Sequence, residues 1–211
     1  MTVPPFDGDQ PSRVVCPPGS PCHDAQAGAQ PDSAVSDLDD LGVVQRLLLA
    51  TDGTLTHILE AYIGERVRLV KLHQHLVTDP AERVASQLND GERGLRRVIL
   101  LRGSGSDITF VYAESLVLLD RLPPLVADGL LESEVPIGKL LWRCRAETFR
   151  EITDVWERHD SGTAAHFGLG ASDSLVSRKY QIVADGRPIA IITETFPKVA
   201  FPRPGAPERL R

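Results

Sequence analysis

The feature that most narrows the fold of this chain is a pair of strand patterns folded back on themselves. In the first, residues 95–101 (LRRVILL) and 108–119 (ITFVYAESLVLL) flank RGSGSD; in the second, residues 179–183 (KYQIV) and 189–196 (IAIITETF) flank ADGR. Glycine and aspartate at both tips suit tight turns, so each pattern reads as an antiparallel hairpin. Residues 67–76 (VRLVKLHQHL) alternate as a further strand. Helical spacing links Leu38, Leu41, Val44 and Leu48 behind a Ser36 cap, and Leu55, Ile58, Leu59 and Tyr62 ahead of Gly64. A short helix is expected after Pro123 and Pro124, another at VPIGKLL, and residues 147–156 fit helix and strand equally. Strands joined by tight turns, with helices set apart, predict an α+β fold: a single antiparallel β-sheet flanked by helices.

Alternation also assigns faces. Ala190, Ile192, Glu194 and Phe196 share one side of their strand, which turns Glu194 inward. A carboxylate there is hydrogen-bonded, paired with a cation, or held protonated, and a neutral carboxylic acid can donate a proton. A structural ion pair is the commoner use of such a residue. In LRRVILL, Arg97 falls with Ile99 and Leu101 and is the inward arginine. An arginine does not give up its charge, so a buried one needs an anion, either a protein carboxylate or a ligand gripped by the guanidinium fork. Arg97 is thus the expected partner of Glu194, and the two together predict a pocket for a small acid. Glu114, in another apolar strand, is expected to serve as a structural partner for an arginine.

With 211 residues and 42% apolar content the chain can bury one substantial core. Residues 1–34 are rich in proline and glycine and read as a disordered tail, 35–200 as the folded domain and 201–211 as a C-terminal tail. A net charge of −6 without a basic, aromatic-interleaved stripe gives nucleic-acid binding no support. No apolar run approaches the ~20 residues a bilayer helix needs, and no export signal opens the chain, so the expected location is cytoplasmic. Cys16 and Cys22 lie with His23 in the tail and Cys144 lies alone, a pattern that fits neither a disulfide framework nor a structural zinc site. His73 and His75 are two apart on a strand but lack a third ligand in any metal motif, so no metal is expected and His73 reads instead as a cationic substrate contact. GSGS at 103–106 is a hairpin tip, and no Gly-x-Ser-x-Gly elbow or activated cysteine supports covalent catalysis.

Taken in order, DGTLTHIL, LRRVILLRG, VYAESLVLLDRLPP, PIGKLL, SRKYQI and DGRPIAIITETF resemble the chorismate pyruvate-lyase family, in particular its actinobacterial and cyanobacterial branch, over about residues 38–198. The resemblance implies a chorismate lyase-like fold and cofactor-free cleavage of chorismate to 4-hydroxybenzoate and pyruvate. It implies a small-molecule substrate, no nucleic-acid or membrane partner, and a monomer or weak homodimer. By motif position, Arg97 matches the family's carboxylate-binding arginine and Glu194 its active-site glutamate beside the ring oxygen. Ile137 falls where a backbone N–H meets the ligand carboxylate, Leu55 lines the pocket, and His73 stands where enterobacterial members carry a basic residue. Loss of the enolpyruvyl ether with a ring proton aromatises the ring, so the driving force is intrinsic; a protonated Glu194 would donate to the departing oxygen. Two rival functions share these features. Sensor domains of transcription regulators have the same fold, although residues 1–35 are too short and proline-rich for a DNA-binding helix-turn-helix. A lyase for a related enolpyruvyl compound is the other.

Overall fold

The structure, a computed structural model, describes residues 41–86 and 88–198. The expected tails, the Ser36 cap, Leu38, and Cys16 and Cys22 with His23 lie outside the described residues.

Numbered in chain order, the strands are β1 (Val67–Leu76), β2 (Gly94–Gly103), β3 (Thr109–Leu118), β4 (Phe149–Arg158), β5 (Leu175–Ala184) and β6 (Arg187–Pro197). They form one six-stranded sheet in the order β1-β2-β3-β6-β5-β4, antiparallel at every pairing. The helices are α1 (Val43–Ala50), α2 (Leu55–Ile63), α3 (Pro80–Ala85), α4 (Pro124–Glu132), α5 (Ile137–Arg143) and α6 (Ser161–Ala165). The α+β expectation is borne out, and the ambiguous segment after residue 146 is the edge strand β4. At the ADGR tip Asp185 and Gly186 both take positive φ, 49° and 70°, the backbone of a type I′ turn, whose twist matches the flanking strands. Gly64 ends α2 in the left-handed conformation, as the sequence predicts. The short α3 and α6 have no counterpart in the sequence pattern. Each is capped by an aspartate: Asp79 accepts from the Glu82 amide at 2.9 Å, and Asp160 from the Gly162 amide at 3.0 Å.

One face of the sheet carries the core, in two clusters. Toward one end Leu48 and Leu49 of α1 and Leu55, Leu59 and Ile63 of α2 pack on Leu69, Leu101, Val111 and Phe196. Toward the other, Val126, Ala127 and Leu130 of α4 and Leu140 and Leu141 of α5 pack on Leu95, Val117, Ile182 and Ala190. The opposite face is polar. There Arg96 Nε donates to Glu82 at 2.7 Å. Glu114 lies on that face too, exposed, and accepts from the Tyr112 hydroxyl at 3.0 Å instead of pairing with an arginine. Burial, reinforced by the Glu114 charge, pushes the Tyr112 phenol up to about 12. Alternation explains the correction: Glu114 pairs with Val98 and Thr193, both on the outward register.

Four departures from strict alternation shape the sheet. The extra residue is Leu72 in β1, Phe110 in β3, Thr153 in β4 and Ile189 in β6, the last where Ile182 pairs with Ala190 and Val183 with Pro188. A one-residue slip sends every later side chain of a strand to the other face.

An ion pair joins the helices of the two clusters. Lys139 of α5 meets Glu60 of α2 at 2.9 Å, and Glu60 also accepts from the Val67 amide at 3.0 Å. Burial pushes the Glu60 pKa up, but these bonds together with Arg66 outweigh it and leave it below its usual value. A group depressed in the folded state lends stability above its unfolded pKa and loses it as pH falls through the folded one. Glu60→Gln is therefore expected to cost about 1–2 kcal/mol near neutrality, with the gap to wild type narrowing below about pH 4. Melting temperatures across pH 3–7 test this; a gap independent of pH would show that the charge on Glu60 is not what holds the helices.

Candidate active site

Between the two clusters, under the first turns of α2 and α5, lies a cavity of about 610 Å³ counting its open mouth. Its floor is the inner face of the sheet. In one row across the strands stand Gln74, Arg97, Ser115, Ile192 and Tyr180; in the next stand Ile99, Ala113, Glu194 and Arg178. Its roof is Thr54, Leu55 and Thr56 on one side and Pro136, Ile137 and Gly138 on the other.

Arg97 is 3% exposed, yet among the described residues its Nε and Nη2 donate to no group and no carboxylate pairs with it. Burial, with no compensating anion, pulls its pKa below the usual arginine range. A buried guanidinium without a protein acceptor has the fork geometry and the charge to bind a carboxylate in two bonds. Opposite it on β1, Gln74 Oε1 is likewise buried without a partner.

Glu194 is 6% exposed and fully engaged. Arg178 Nε donates to Oε2 at 2.8 Å, Arg178 Nη2 lies 2.8 Å from the same oxygen, and the Tyr180 hydroxyl donates to Oε1 at 3.0 Å. Both oxygens act as acceptors, the bonding pattern of a carboxylate anion. Arg178 is itself fully buried, with Nη1 donating to the Thr51 carbonyl at 2.8 Å and its guanidinium 5.0 Å from the Tyr180 ring centre. Burial, and then the Glu194 charge, raises the Tyr180 pKa, which keeps the phenol a donor.

The expected Arg97–Glu194 pair is therefore corrected. The two line one cavity, but the cation on Glu194 is Arg178, directly opposite it in the β5–β6 ladder. A two-residue turn at Asp185 and Gly186 would by itself set Glu194 across from Ser177; the ladder shift near Val183 brings Arg178 there instead. Leu55 and Ile137 are each the first residue of a helix, and each lines the cavity.

His73 does not line it. The bulge in β1 makes Leu72 the extra residue, so Gln74 takes the inward place opposite Arg97 while His73 and His75 turn to the outer face. His73 is exposed there, its ring 4.8 Å from that of His75. Tyr180 and Ser115 line the cavity and are absent from the sequence-based expectations, as are Arg178 bonded to Glu194, Gln74 opposite Arg97, and Arg150 of β4, a second cationic lining residue. The inward alternation of Arg178, Tyr180 and Ile182 is the one available signal for the first two.

Residues 49–201 match the family model described as Chorismate pyruvate-lyase Rv2949c-like, a span that holds every residue of the cavity. The chain belongs to this chorismate pyruvate-lyase family. It is similar to the chorismate pyruvate-lyase of Mycobacterium leprae, 36% identical over 159 residues that make up 74% of this chain and 75% of the relative. It is 32% identical to that of Mycobacterium tuberculosis strain H37Rv over 161 residues, 74% of this chain and 80% of the relative. Among solved structures, gene product SA0254 of Staphylococcus aureus superposes with a TM-score of 0.52 at 14% identity, over 69% of this chain and 88% of that one. The effector domain of PhnF from Mycobacterium smegmatis does so with a TM-score of 0.51 at 18% identity, again over 69% and 88%. These two likenesses are of fold. Among the described residues, no helix is long and apolar enough to cross a membrane.

Proposed function

We propose that this chorismate pyruvate-lyase family member cleaves chorismate to 4-hydroxybenzoate and pyruvate, without a cofactor, in the cavity that Arg97 and Glu194 share. The observation that carries the reading is the buried Arg97, two of whose nitrogens find no acceptor among the described residues, a cation suited to receive a ligand carboxylate. In this reading Arg97 grips the ring carboxylate, and Leu55, Ile99, Ile137 and Ile192 enclose the ring. Holding the substrate in one reactive pose supplies much of the rate gain.

The chemistry is self-balancing. A ring C–H bond gives its electron pair to the new double bond of the aromatic ring, the ring–oxygen bond breaks with its pair going to oxygen, and the departing enolpyruvate takes up one proton to become pyruvate. The ring loses one proton and the leaving fragment gains one. A single carboxylate that accepts and then returns a proton can serve both needs. In this reading Glu194, a cavity residue whose two oxygens both accept hydrogen bonds, starts the cycle as the proton acceptor. This reverses the order expected for an isolated neutral acid. Tyr180 and Arg178 then hold the carboxyl group in place through the cycle. A cytoplasmic location and a monomeric or weakly dimeric state complete this reading.

Incubating the purified protein with chorismate and quantifying products tests it. Equal amounts of 4-hydroxybenzoate and pyruvate, formed at the same rate with and without a chelator, are expected. Tight binding of chorismate without turnover would point to a sensor-type domain and overturn the assignment, as would a different hydroxybenzoate or a rate restored only by added metal.

A further inference from the structure

We propose that Arg150 binds the second carboxylate of the substrate, the one on the enolpyruvyl side chain, and thereby makes the site selective for the dicarboxylate over its single-carboxylate aromatic product. This rests on the functional reading above. Chorismate carries one carboxylate on the ring and one on the side chain, and only the first remains on 4-hydroxybenzoate. Arg97 can answer one of them. The other needs a second cation.

The cavity offers few. Arg97 and Arg150 are its cationic lining residues. Arg178 is committed to Glu194, Lys139 to Glu60, and His73 stands on the outer face. Arg150 is inward on β4, opposite Ile182, because it precedes the ladder shift in that strand. Its Nη1 donates to the Asp52 carbonyl at 2.8 Å, which ties the guanidinium to the loop before α2, and among the described residues no carboxylate forms an ion pair with it. Its Nη2 lies close to the first turn of α5: a methyl group added to Gly138 would stand 3.4 Å from it and 3.3 Å from Thr54 Cγ2. The glycine leaves the fork room at the cavity roof.

Across the sheet Glu194 falls between the two arginines: Arg97 is on β2 and Arg150 on β4, with β3, β6 and β5 between them. Along the strands Arg97 is in the middle row, Glu194 one row toward Ile99 and Arg150 one row toward Leu95. Four strand spacings separate the arginine backbones by about 19 Å on a flat sheet, and both side chains line the one cavity. The Asp52 carbonyl that holds Arg150 is next to the Thr51 carbonyl that accepts from Arg178, the cation on Glu194, which brings the Arg150 guanidinium toward the Glu194 end. In the substrate the bond to be broken likewise lies between the two carboxylates. A ligand held at both ends by Arg97 and Arg150 presents its ether and adjacent ring carbon to Glu194.

The test compares Arg150→Gln and Arg150→Lys with wild type, measuring kcat and KM for chorismate, the Kd of 4-hydroxybenzoate, and melting temperature. Removing one charge-assisted bond predicts a KM raised at least tenfold in Arg150→Gln, with product Kd within about twofold of wild type, and partial recovery of KM in Arg150→Lys. A merely structural arginine would weaken substrate and product together. That result, or an unchanged KM, overturns the proposal. Arg150→Lys, which retains the charge and a donor for Asp52, is read by the same ratio of KM to product Kd if the glutamine variant fails to fold. Should wild type leave chorismate intact, the functional reading fails; should wild type turn it over and both variants keep the wild-type ratio, Arg150 alone is misassigned.

Discussion

Glu194→Gln should lower kcat by about 10²-fold or more while 4-hydroxybenzoate still binds, because an amide keeps the size of the side chain but cannot take and return a proton. The same change should cost stability. Arg178 is fully buried and has Glu194 as its counter-charge, so a neutral partner leaves an uncompensated cation, a situation worth about 3–5 kcal/mol. Kinetics are therefore to be read below the lowered melting transition, with circular dichroism confirming the fold. The double variant Glu194→Gln with Arg178→Met separates the two effects: removing both charges should recover much of the lost stability and none of the lost rate. A near wild-type kcat in a folded Glu194→Gln protein would show that Glu194 orients the substrate and moves no proton.

How far the sequence discloses such a site depends on where alternation holds. Between bulges it is reliable, and for that reason the inward positions of Arg97 and Glu194 can be read from LRRVILL and IAIITETF alone. Each ladder shift defeats it. The bulge at Leu72 exchanges His73 for Gln74 on the inner face, and the shift near Val183 chooses Arg178 as the partner of Glu194. Both depend on how two strands fit together, which a single strand's pattern does not carry. The two short helices are hidden for another reason: five or six residues show no period, and their aspartate caps are the only local mark. Arg150 is hidden because its segment satisfies helical and strand spacing equally, and only the pairing of β4 with β5 turns it into the cavity. The sheet itself says little about activity, since gene product SA0254 at 14% identity and the PhnF effector domain at 18% share the fold. The functional reading rests instead on the polar set on one face: an arginine without a carboxylate partner among the described residues, a tethered glutamate, and a second arginine lining the same cavity.

Arg97→Met is expected to abolish tight binding of 4-hydroxybenzoate and to raise the melting temperature. The two effects have one cause. In the folded protein Arg97 is desolvated and receives no compensating carboxylate among the described residues, so the charge is a cost of folding that ligand binding offsets. Methionine fills similar space without that cost, and replacements of this kind stabilise by about 1–4 kcal/mol in favourable cases. Binding should move the other way: without a bidentate, charge-assisted grip in a dry site, product affinity should weaken at least about 10²-fold, with a comparable fall in kcat/KM. Arg97→Lys should lie between, since it keeps the charge and loses the planar fork, with KM raised and little gain in melting temperature. Thermal melts with and without 4-hydroxybenzoate give both numbers at once, because ligand raises the transition only of a protein that binds it. Stability gained as affinity is lost marks a residue kept for its ligand. If Arg97→Met instead unfolds several degrees below wild type, Arg97 is holding the sheet together, and the carboxylate anchor must be sought elsewhere in the cavity.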